Sequence, residues 1–189
     1  MLLPHLRPGV RLKFPLSMNF GGGRENVAEC SRGVETVAVT MTSSTNKGSA
    51  TTFKWLPHVP GGVNYASGAG EIVSGIFTGC VMSVYAFQGQ RRVAHVHTGN
   101  DGAKCCKTYF RQLMNGVGYT PRGHFKPYDG ARDLQRATEI TRESPQLNCS
   151  VLGIIDGANR CYSVFLKKMG RCDFVVMAVV ERTAGLGVP

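Results

Sequence analysis

Two runs of β-prone residues, 80–87 (CVMSVYAF) and 90–98 (QRRVAHVHT), are separated only by Gln88-Gly89, and this feature restricts the fold most. An x-Gly pair between such runs suits a two-residue type I′ turn, whose central residues both need positive φ. So short a loop leaves no freedom of register. Phe87 then pairs with Gln90, Met82 with His95 and Cys80 with His97. Residues directly opposite each other share a face with Cβ atoms ~5 Å apart. The spacing therefore predicts Cys80 beside His97 at the open end of the hairpin. Met82 and Val84 continue that face toward the turn, and His95 lies on it one pair further in.

Around the hairpin, the 189 residues read as one α+β domain behind a leader. Alternating or continuous apolar runs predict strands over 34–42, 51–56, 149–155, 160–166 and 172–181. A helix is expected over 103–115, capped by Asp101 and closed by Gly116, with Cys106, Tyr109, Phe110 and Leu113 at helical spacing. A second, surface helix is expected over 131–143, with Leu134, Ala137 and Ile140 on its apolar stripe. Segments 43–49, 57–70 and 118–130 read as loops, and the apolar stretch 71–77 takes no clear type. Residues 1–33 are interrupted by Pro and Gly and read as a mobile leader, with Met18 opening the more domain-like stretch and 34–189 forming the single domain. The expected architecture is a layered β-sandwich of mostly antiparallel strands flanked by two or more helices.

Charge and cysteine usage narrow the function classes. The net charge is +10, which favours acidic partners in general. Its carriers are scattered, with pairs at Arg91-Arg92 and Lys167-Lys168 and no block of five, which argues against nucleic acid as the main partner. No apolar run approaches the ~20 residues of a membrane-spanning helix. Seven cysteines stand at 30, 80, 105, 106, 149, 161 and 172, an odd number with no C-x-x-C. They read as reduced thiols in a reducing compartment and not as a disulfide framework. The first twenty residues are broken by Pro4, His5, Arg7, Pro8 and Arg11, so they do not read as a Sec-type signal.

The chemistry is expected at the mouth of the hairpin. A free thiol with a pKa of ~8.5 is a weak nucleophile at neutral pH until a base or cation stands beside it. Cys80 and His97 form such a pair, and Gly79 leaves the backbone N–H groups open to a substrate carbonyl, as an oxyanion hole requires. An alternative is zinc held by His95, His97 and Cys80, since H-x-H on a strand puts both imidazoles on one face. The sequence offers no fourth ligand for it, so neither metal nor cofactor is expected. Histidines 5, 58 and 124 fall in Pro/Gly-rich segments and are assigned no role.

At these residues the chain resembles a family. Phe77-Thr78-Gly79-Cys80, followed one hairpin later by Val96-His97-Thr98-Gly99, is similar to the catalytic core of the cytotoxic necrotizing factor toxins. Those are bacterial glutamine deamidases with a Ser-Gly-Cys and a Val-His-Thr-Gly element. Their relatives include the Burkholderia lethal factor, with Leu-Ser-Gly-Cys, and the chemoreceptor deamidase CheD. Lys54-Trp55-Leu56-Pro57 resembles the Trp-Leu-Pro segment upstream of the lethal factor's catalytic element. The lethal factor and CheD place a catalytic Thr six residues before the Cys, where this chain has Ser74. The likeness spans roughly residues 50–100, with Thr78 in place of Ser and nothing matching over 119–147.

The resemblance implies a CheD-like or necrotizing-factor-like sandwich and a bacterial toxin or effector acting in the host cytoplasm. It would deamidate a glutamine of a host protein, a small GTPase or a translation factor at family level, through a thioester. Cys80 would be the nucleophile, His97 the acid and base, and Ser74 the group that orients the imidazole. His95, Thr78 and Gly79 are the alternative or supporting residues, and the chain is expected to act as a monomer without a cofactor. The rivals are a papain-like thiol hydrolase and a non-enzymatic basic binding domain.

Overall fold

The computed structural model describes residues 1–15, 35–43, 46–98, 106–142, 149–187 and 189. The strands are β1 (Arg11–Lys13), β2 (Glu35–Ser43), β3 (Asn46–Pro57), β4 (Val63–Ser67), β5 (Ile72–Gly75), β6 (Val81–Phe87), β7 (Gln90–Val96), β8 (Tyr119–Phe125), β9 (Cys149–Ile155), β10 (Cys161–Gly170) and β11 (Asp173–Arg182). The helices α1 (Cys106–Met114) and α2 (Gly130–Arg142) flank β8 in sequence. The α+β class and the mostly antiparallel pairing agree with the sequence reading. One of the two sheets, however, closes on itself. Strands β1-β11-β10-β9-β5-β3-β2 form a barrel, and β4-β7-β6-β8 form a separate four-stranded sheet. The β3–β5 pair is parallel, so the barrel is mixed.

The four-stranded sheet is built around the expected hairpin. Gln88 and Gly89 both have positive φ, +49° and +79°, as a type I′ turn demands. The register runs Phe87↔Gln90, Val84↔Val93, Met82↔His95 and Val81↔Val96, as derived from the turn. The two faces of the hairpin then divide the core. Val81, Tyr85, Ala94 and Val96 pack on Cys106, Phe110 and Met114 of α1. Cys80, Met82, Val84 and Val93 face the barrel wall at Leu56, Ile72, Ile155 and Cys161. Gly153 of β9 lets the two layers touch, because a Cβ there would meet Met82, Pro127 and Phe77. The site therefore sits between barrel and sheet.

The Arg91-Arg92 pair is absorbed by the fold. Arg91 donates to Asn159 Oδ1 and to the carbonyls of Gly68, Gly70 and Asp156, at 2.7–3.1 Å. Arg92 lies 4.4 Å from the ring centroids of both Tyr65 and Phe87. On the barrel's other flank, α2 buries Asp133 and Ile140. Leu134, expected on the apolar stripe, points outward and is 61% exposed. The reason is a buried ion pair: Asp133 takes hydrogen bonds from Arg182 of β11 and from Arg132, which turns α2 by one position.

The first fifteen residues correct the leader expectation. Leu2, Leu6, Val10, Leu12 and Phe14 are buried in the barrel core. The amides of Leu2 and Leu3 donate to the carboxylate of Glu71 at 2.6 and 2.9 Å. Strand β1 pairs with both β2 and β11 and so closes the barrel. The domain thus begins well before residue 34, and Met18 does not open it. Residues 16–34 and the Asp101 cap lie outside the described residues. Strands β4 and β8 occupy segments expected as loops, and β5 gives the untyped stretch its identity. No helix among the described residues is long and apolar enough to cross a membrane.

Candidate active site

Three segments meet where the hairpin opens against the barrel. Strand β3 ends at Pro57 and delivers His58. Its exit is held by two hydrogen bonds to the chain: Ser74 Oγ donates to the Leu56 carbonyl at 2.6 Å, and Asn64 Nδ2 to the Pro57 carbonyl at 2.8 Å. Cys80 precedes β6, while His97 and Thr98 follow β7. Thr98 Oγ1 donates to the Gly79 carbonyl at 2.7 Å and ties the two ends together.

Cys80 Sγ lies 3.8 Å from His97 Nδ1, the neighbour the register predicts. It also lies 3.9 Å from His58 Nε2. The two imidazoles meet each other at 3.0 Å between His58 Nε2 and His97 Nδ1. Cys80 is 7% exposed, and both histidines are half-buried, so one side of the cluster opens to solvent. The rings of His97, His58, His95 and Phe77 stack in series, with centroid spacings of 5.2, 4.7 and 4.3 Å.

Ser74 meets a different imidazole from the one expected. Its single hydroxyl proton goes to Leu56 O, so its oxygen accepts from His95 Nδ1–H at 2.7 Å. That arrangement puts the proton of His95 on Nδ1. His95 Nε2 is buried with no hydrogen-bond partner among the described residues. Burial, then the nearby His58 and His97, holds its pKa well below the ordinary value, so the ring is neutral. Ser74 lies on β5, beneath the hairpin, where it reaches the inner histidine and not the outer one. The side chain that meets His97 is His58.

Burial also lowers the His58 pKa to about 4, with His97 adding to the effect. It raises that of the Cys80 thiol, partly offset by hydrogen bonding from the Thr98 backbone. Cys80 and His58 therefore rest as thiol and neutral imidazole, not as a preformed ion pair. Other thiols sit in harsher surroundings: burial pushes Cys149 up to about 11 and Cys161 up to about 12.

The remaining expected residues fall out as follows. A Cβ at Gly79 would meet nothing within 4 Å, so the approach to Cys80 is open there. Thr78 is exposed, and the hydroxyl beside Cys80 belongs to Thr98. His95 supports the site from below. The zinc set imagined from H-x-H loses His95 and gains His58: the ligand atoms of His58, Cys80 and His97 lie within 4.8 Å of one another. His58 is the residue that sequence reasoning missed. Its signal was its place directly after Trp55-Leu56-Pro57, a segment already singled out. Compared with known families, curated proteins and solved structures, the chain matches no family model, no curated protein and no solved structure.

Proposed function

We propose that the chain is a thiol amidohydrolase that converts a glutamine side chain of a protein substrate to glutamate. The observation that carries this reading is a largely buried Cys80 thiol within 4 Å of two imidazole nitrogens, with an unobstructed Gly79 ahead of it. Attack begins as the Cys80 proton passes to His97 Nδ1 and Sγ bonds to the carboxamide carbon. Backbone N–H groups around Gly79 and Cys80 take the developing oxyanion, a contribution of ~10²–10³ in rate for one good donor. The imidazolium returns its proton to the departing ammonia, leaving a thioester. A water, deprotonated by the same imidazole, then hydrolyses the thioester and restores the thiol. His58, stacked on the His97 ring, holds that imidazole in place.

The step from amide to glutamine rests on the likeness of Phe77-Thr78-Gly79-Cys80 and Val96-His97-Thr98-Gly99 to the necrotizing-factor core. The same likeness supports a bacterial effector acting on a host cytosolic protein. A papain-like site instead places its cysteine at a helix N-terminus, whereas Cys80 leads into a strand. The test is peptide mass spectrometry of host lysate treated with wild type and with Cys80→Ala. A gain of about one dalton at particular glutamines, absent with the variant, supports the proposal. Identical peptide maps across repeated lysates would reject it.

A further inference from the structure

We infer that His58, Cys80 and His97 also form a Zn²⁺ site, and that zinc shuts off the thiol chemistry by occupying the nucleophile. The geometry carries this on its own. Zinc bonds imidazole nitrogen at ~2.0–2.1 Å and thiolate sulfur at ~2.3 Å in tetrahedral array, which sets ligand separations of about 3.3 Å for N···N and about 3.6 Å for N···S. The three edges here are 3.0, 3.8 and 3.9 Å. Each edge lies within about 0.3 Å of those values, an adjustment that small side-chain rotations supply.

The donor chemistry points the same way. Two imidazole nitrogens and a sulfur face one point, and each can offer a lone pair to it. A cation at the centre serves all three. The donor set also narrows the metal: one thiolate and two imidazoles suit Zn²⁺ and its borderline transition-metal neighbours and exclude the hard cations Mg²⁺ and Ca²⁺.

Binding replaces the Sγ–H bond by Sγ–Zn and releases that proton to solvent. The open side of the cluster leaves the fourth position to water. Two of the three ligands sit at the ends of β3 and β7, and Ser74, Asn64 and Thr98 brace these ends, so the site is preorganised. The metal site needs no assumption about catalysis; only the inhibitory half rests on the function proposed above.

The full chain, stripped of metal, is titrated with Zn²⁺ against a chromophoric chelator, and with Co²⁺ read by its thiolate charge-transfer absorption. One tight equivalent is expected, lost by at least ~100-fold in His58→Ala, His97→Ala and Cys80→Ala, and kept in Cys172→Ala. In wild type, Zn²⁺ should block mapped alkylation of Cys80 and a chelator should restore it, a readout that needs no variant to fold. Zinc that binds no tighter to wild type than to Cys80→Ala, or that leaves Cys80 alkylation unchanged, overturns the inference. Deamidation that never appears while zinc binds and protects Cys80 rejects the function and upholds the site. Deamidation that proceeds undiminished at saturating zinc overturns the inference alone.

Discussion

The cluster at Cys80 and the cluster at Asp133 are both polar, both lie between layers of the fold, and yet they are finished differently. Asp133 is 2% exposed and accepts from Arg182, Arg132 and the Asp129 amide. Burial alone would raise its pKa, but those hydrogen bonds hold it below the usual carboxylate range. Arg182 in turn donates to Ser163 Oγ, whose own proton goes to the Pro127 carbonyl. No buried polar side-chain atom there is left without a partner among the described residues. At Cys80, two imidazole nitrogens and a thiol crowd together, His95 Nε2 has no hydrogen-bond partner among the described residues, and one side faces solvent. A closed network holds a helix on a barrel, whereas an open one is free to react or bind.

Breaking each cluster should separate stability from activity. Cys80→Ala is expected to lower turnover by ~10⁴-fold or more with little change in melting temperature. Deamidation kinetics beside a thermal melt check it, and residual turnover above a few per cent would break the contrast. Asp133→Ala should do the converse. Removing the carboxylate strands the largely buried Arg182 guanidinium and costs ~3 kcal/mol, measured by denaturant unfolding, while turnover per folded molecule is kept.

Ser74→Ala falls between the two. The fully buried hydroxyl bridges the Leu56 carbonyl and His95, so its loss should cost ~1–3 kcal/mol. Because Ser74 does not touch His97 among the contacts described, turnover should fall by less than ~10-fold, through a looser His58. A kinetic loss with an unchanged melt would instead return Ser74 to the reaction.

The smallest effect is in acid. His58 and His95 are neutral in the fold with lowered pKa values, while in the unfolded chain they take up protons near pH 6.5. The unfolded state therefore binds more protons, and stability falls as pH drops from about 6.5 towards about 4. Each fully buried ring can add at most ~1.4 kcal/mol per pH unit, and half-buried His58 adds less. Denaturant midpoints at pH 7 and 5 should show the slope in wild type and a shallower one in His95→Gln.

What was legible followed from locality. The hairpin register was readable because Gln88-Gly89 admits one pairing, and that pairing alone put Cys80 by His97. Strands β9, β10 and β11 were readable because their apolar runs are long. His58 was not, since it reaches the site through the parallel β3–β5 pairing, which leaves no local pattern. Strand β5 is four buried residues without period, and β8 carries Pro121 at a register shift. The amino-terminal segment hid its role for a related reason. Its core residues are spaced by Pro4, Pro8 and Gly9, and β1 is only three residues long.

The central claim is that Cys80 is the poised thiol of this chain and that its imidazoles make it so. Competitive alkylation with iodoacetamide near neutral pH, mapped by peptide mass spectrometry on folded protein, tests it most directly. Cys80 should label first, well ahead of Cys149 and Cys161, whose thiols are held at about 11 and about 12. Its lead should shrink in His97→Ala. Equal or faster labelling of Cys105 or Cys172, or a Cys80 rate indifferent to His97, would contradict the account.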